Sequence, residues 1–171
     1  MSANPRVSRR RASIFAALCF GIAGSAQALS LVVEDGEIAG VSGLDIQGRL
    51  YDVSFRDGAF NAVYPAELSG YGPLARAVAQ ALLAANPSIQ AAPGRRADLR
   101  PRGCQSVDSC TILIPEHSDG TAPNTRLTHA VEAIYTKDRF SKVPEPLWPF
   151  DASTDTQYMP DMLYAIITPA R

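Results

Sequence analysis

Residues 37–57 read EIAGVSGLDIQGRLYDVSFRD, and the reading of this stretch decides the fold. Gln47-Gly48 splits it into two runs, and a two-residue loop ending in glycine suits the tight turn of a β-hairpin. With that loop, Ile46 faces Arg49, Asp45 faces Leu50 and Leu44 faces Tyr51. Side chains alternate along strands, so Leu44, Ile46, Tyr51, Val53 and Phe55 share one face. Asp45, Leu50, Asp52 and Ser54 share the other. A slip of one residue would mix the two sets, so the pattern itself specifies the register.

Working outward, residues 73–85 (PLARAVAQALLAA) predict a helix. Pro73 suits the first helical position. Leu74, Val78, Ala81, Leu82 and Ala85 form an apolar stripe at helical spacing. Asn86-Pro87 is expected to end it, because a residue before proline is pushed out of helical angles. The stripe needs a partner, and the apolar face of the hairpin is the obvious one. Thr111 to Pro115 (TILIP) reads as a buried strand and Met162 to Thr168 as a last strand, with loops over 87–103 and 144–161. Residues 125–136 (TRLTHAVEAIYT) fit either period, and their threonines, with Val, Ile and Tyr, tilt them toward strand. The expected architecture is α+β: a single domain whose antiparallel sheet carries an N-terminal β-hairpin packed on one principal α-helix.

The start of the chain has a different character. Arg6, Arg9, Arg10 and Arg11 precede the apolar run 13–23 (SIFAALCFGIA), and Ala26-Gln27-Ala28 is a small-x-small cleavage site. This is the layout of a secretory signal peptide. Eleven apolar residues are too few to span a bilayer, which takes roughly 20. The arginine pair hints at twin-arginine export, but Ala12 and Ser13 stand where large apolar residues belong, so ordinary secretion is preferred. Cys19 follows the bulky Leu18, which argues against a lipoprotein. Segment 1–28 is therefore expected to leave, and 29–171 to form one exported domain, periplasmic or secreted, with no transmembrane anchor.

Export changes the charge. The whole chain sets 16 Lys+Arg against 17 Asp+Glu. Loss of the four arginines in 1–28 leaves 12 against 17, a net charge of −5 on 143 residues. An acidic domain is a poor nucleic-acid binder. The cysteines simplify too: only Cys104 and Cys110 remain, in CQSVDSC, and two close cysteines in an exported chain most simply form a disulfide.

A resemblance supports this address. Gly36-Glu37-Ile38, Gly40, Gly43-Leu44-Asp45-Ile46, Gly48, Leu50-Tyr51-Asp52-Val53, Phe55 and Asp57-Gly58 make a G-x-L-Y-D-V-x-F-x-D-G hairpin. It resembles a group of small exported bacterial proteins, many of which carry a C-terminal PEP-CTERM sorting tag. The likeness covers about 23 residues and implies export and a related fold, without catalysis. In that group a cysteine often follows Asp-Gly; Ala59-Phe60 stands here, so no disulfide scheme carries over. Pro144-Glu145-Pro146 spells PEP, but Asp151, Asp155 and Asp161 follow, so this is not such a tag.

Candidate chemistry is sparse. His117 and His129 are the two histidines. Glu116 to Gly120 reads as a turn, and His129 with Glu132 would share a helix face, able to hold a metal together with His117 and Asp119. On a strand His129 and Glu132 point to opposite faces, so no metal and no cofactor is assigned, and His117, Asp119 and His129 stand as the alternative set. Arg95, Arg96, Arg100 and Arg102, opposed by Asp98, make a locally basic loop suited to an anion or an acidic partner surface. Trp148, Phe150 and Tyr158 lie near Asp151 and Asp155, as a ligand platform or as pins for a long loop. No nucleophile elbow or phosphate-cradling glycine loop occurs. The expected function is a non-enzymatic periplasmic or extracellular binding or interaction module with an envelope or extracellular partner. The rival is an exported hydrolase, metal-dependent through His117 and His129.

Overall fold

The two strands of the 37–57 hairpin pair as their alternation dictates: Ile46 opposite Arg49, Asp45 opposite Leu50, Leu44 opposite Tyr51. Gln47 and Gly48 both take positive φ, 54° and 78°, the geometry whose twist matches paired strands. The Gly48 amide donates to Asp45 Oδ1 at 2.8 Å, which reinforces the turn. The computed structural model describes residues 29–64, 70–91, 99–106, 108–119, 127–142 and 149–171.

In chain order the strands are β1 (Ser30–Glu34), β2 (Glu37–Ile46), β3 (Arg49–Arg56), β4 (Cys110–Asp119), β5 (Leu127–Thr136), β6 (Arg139–Lys142), β7 (Phe150–Asp151) and β8 (Met162–Pro169). They form one sheet in the order β1-β2-β3-β8-β4-β5-β6, with β7 beside β5. The last strand therefore lies in the middle, antiparallel to β3 and parallel to β4. A short α1 (Phe60–Val63) precedes α2 (Pro73–Ala81), which continues through a 3-10 turn (Leu82–Ala85) into α3 (Asn86–Ala91).

This corrects the expected α+β class. Among the described residues the protein is largely β, 51% strand in a curled mixed sheet that makes a half-barrel, with one helical run of 19 residues. It is not a hairpin packed on a helix: the buried Val78 and Leu82 join one core with Leu44 of β2, Ile112 of β4 and Val131 of β5. The difference has physical causes. The parallel contact of β4 with β8 joins residues some fifty positions apart, and local alternation carries no information about it. Strands β6 and β7 are too short for a recognisable period. Curling comes from irregular pairing: β2 shifts register against β1 and again against β3, between Val41 and Leu44, and such bulges bend a strand.

The helix also runs past its expected end. Asn86 keeps helical angles before Pro87, φ −54° and ψ −42°. Its side-chain amide takes the place of a strand partner, donating to Phe140 O at 3.0 Å and accepting from Phe140 N at 2.6 Å.

The opposite face of the sheet is covered by a second cluster of Phe60, Tyr64, Leu113, Ala152 and Tyr164. Beyond Tyr164, strand β8 parts from β4, and residues 70–72 wedge into the gap. Tyr71 N donates to Pro115 O at 3.0 Å and Gly72 N to Glu116 O at 2.7 Å. On the other side Ile167 N donates to Tyr71 Oη, also at 3.0 Å. Among the described residues no helix is long and apolar enough to cross a membrane.

Candidate functional site

Strands β4 and β5 position the site, and a single extra residue decides its geometry. From Cys110 opposite Tyr135 to Pro115 opposite Ala130 the ladder is regular; the register then shifts so that His117 faces His129 and Asp119 faces Leu127. Glu116 is the unpaired residue. In an unbroken strand His117 would lie on the face of Leu113 and Pro115. The bulge returns it to the face of Ile114, whose partner Val131 shares a face with His129. The expected turn at Glu116–Gly120 is thus corrected: Glu116 to Asp119 belong to β4.

The bulge is held from outside. Gly70 has φ +105°, and a Cβ there would collide with the Glu116 carbonyl, so this close approach requires glycine. Arg76 of α2 grips the Glu116 carboxylate with Nε and Nη2, the latter at 3.0 Å. The hydrogen bond from Arg76 holds the Glu116 carboxyl below its ordinary range. On the reverse face the Ser118 and Thr128 hydroxyls pair at 2.9 Å.

The outcome is three potential ligands converging on one strand surface. The rings of His117 and His129 stack with centroids 4.3 Å apart and planes 8° from parallel. His129 Nε2 lies 3.2 Å from Asp119 Oδ2. One ligand atom from each of the three lies within 4.8 Å of the others, with His117 and Asp119 exposed and His129 half-buried. Sequence reasoning named these residues as an alternative and set them aside with Glu132. The strand does carry Glu132 to the other face, but cross-strand pairing supplies a partner that the helix was thought necessary to provide. The positioning residues Gly70, Arg76 and Glu116 had no periodic signal and were missed.

The other candidates disperse. Arg100 Nε sits 3.3 Å from Glu37 Oε1, and Arg102 contacts Glu34 at 2.6 Å and Asp35 at 3.5 Å. These two arginines are therefore engaged with acids of the β1–β2 hairpin; Arg95 and Arg96 lie outside the described residues. Trp148 is outside them too. Phe150 packs edge-on against Phe60 at 5.5 Å, while Tyr158 is 83% exposed. Cys104 and Cys110 form a disulfide with Cα atoms 6.0 Å apart. Beside it lies a concavity of about 390 Å³, lined by Glu37, Arg100, Cys110, Tyr135 and Lys137 among others, which sequence reasoning did not foresee. Burial pushes the Tyr135 phenol up to about 12, and its hydroxyl donates to Leu99 O at 2.8 Å. No protein-family model matches the chain, and no curated protein or solved structure does.

Proposed function

We propose that the chain is exported by ordinary secretion, is cut after Ala28, and works in the periplasm or outside the cell as a non-enzymatic binding module. Its binding face is the His117–His129 end of β4 and β5. The observation that carries this reading is the convergence of His117, Asp119 and His129 on an open strand surface. Reacting groups of enzymes are usually enclosed, so that water is excluded and charges act at full strength. Here two of the three side chains are exposed, an arrangement suited to capturing a small charged ligand. The Cys104–Cys110 bond supports the address, since such bonds persist in oxidising compartments. The likeness of residues 36–58 to small exported bacterial proteins points the same way.

Two measurements test it. Mass spectrometry of the product recovered from an exporting bacterial host should show a chain beginning at Leu29. That product should give no turnover above buffer on chromogenic esters, phosphates and peptides, with or without added zinc. Turnover that disappears in His129→Ala would replace this reading with the exported hydrolase.

A further inference from the structure

We infer that His117, Asp119 and His129 form a binding site for a divalent d-block cation, with zinc as the representative ion. This rests on the reading of the same face as the binding surface and names its ligand. Two imidazoles and a carboxylate are a donor set for zinc, copper or nickel; magnesium and calcium take oxygen donors. The spacing fits. Ligand atoms around a four-coordinate zinc stand about 3.3 Å apart, given bonds of 2.0–2.1 Å. His129 Nε2 and Asp119 Oδ2 are already 3.2 Å apart, and all three pairs lie within 4.8 Å. Exposed side chains close the remaining distance by small rotations.

The pairing of the rings argues for the ion over a plain hydrogen bond. A contact between Asp119 and His129 needs one imidazole; the stacked His117 adds nothing to it, yet supplies a second nitrogen on the same side. The backbone beneath is preorganised, because the bulge that turns His117 toward His129 is fixed by Gly70, Gly72 and Arg76. Three protein ligands leave a fourth position for water or an outside donor, the pattern of an open rather than a closed zinc site.

The test is calorimetric titration of zinc chloride into chelator-stripped protein, expressed with its own N-terminal segment and used as the host processes it. One-to-one saturable binding, micromolar or tighter, is expected. Loss of a ligand outweighs loss of a supporting partner, so His117→Ala and His129→Ala should each weaken binding roughly 100-fold. Glu132→Gln, on the opposite face, should leave it unchanged. Cobalt(II) should show the intense visible bands of a four-coordinate ion, absent in the histidine variants. Circular dichroism checks that the variants fold. Should they not, zinc-induced shifts of both imidazole ring signals in the unaltered protein provide the same readout. Absence of saturable binding, or binding indifferent to both histidines, overturns the site. Zinc binding without turnover upholds both readings. Zinc binding with turnover keeps the site and removes the non-enzymatic function, and silence in both assays removes the site alone.

Discussion

Glu132 shows how much one residue's environment depends on which face of β5 it occupies. It is half-buried beside no counter-ion among the described residues, and burial raises its carboxyl from the ordinary 4.5. Between 4.5 and its folded value the native protein holds a proton that the unfolded chain has released. Stability therefore falls as pH rises through that window, and the loss is complete above it. Glu132→Gln mimics the protonated form, so the variant should gain stability over the parent at pH 7 and little at pH 4. Urea unfolding at both values checks this; an equal difference at the two would refute it. Residue identities were the most legible layer of the sequence. His117, Asp119, His129, Cys104 and Cys110 could all be named as candidates from their chemistry. Their convergence was hidden, because it depends on an extra residue at Glu116 whose position is set by Gly70 and Arg76, some forty residues away.

At the scale of elements, strands β3, β5 and β8 and the helix follow from local pattern, and the hairpin register matches the alternation beside the turn, from Leu44 to Tyr51. The strand β2 shows where such reading stops. Its fully buried Ile38, Val41 and Leu44 recur every third position, a spacing that belongs to neither a regular strand nor a full helix. Two register shifts reconcile it with the sheet, turning all three inward. Asn86 is a similar case. Local rules make it a helix terminator, whereas the folded protein keeps the helix and uses its amide to pair with the backbone of β6. Asn86→Ala leaves the Phe140 amide and carbonyl without that partner and should cost about 1–2 kcal/mol. Faster hydrogen exchange at Phe140, with little change at Val53 in the far half of the sheet, would locate the effect; an unchanged Phe140 would contradict it.

For the whole molecule, the mixed sheet was least legible. An antiparallel arrangement follows from hairpins alone, but the parallel pairing of β8 with β4 joins residues distant in sequence and no local pattern marks it. Leu163, Tyr164 and Ala165 are completely buried there, on strand faces that join both core clusters. Removal of residues 162–171 should therefore abolish cooperative unfolding of the entire chain rather than trim an edge. Near-ultraviolet circular dichroism and limited proteolysis of the truncated protein would reveal it, and a protected, cooperatively melting remnant would count against the prediction.

The central seat of β8 also sets an order of events in time. Synthesis delivers β1–β3 first and β4–β6 later, and the strand that joins the two halves emerges last. Until then each half carries an open edge, so the sheet closes only once β8 has emerged. A chain whose sheet waits for one late strand keeps both open edges accessible to chaperones and proteases until that strand arrives.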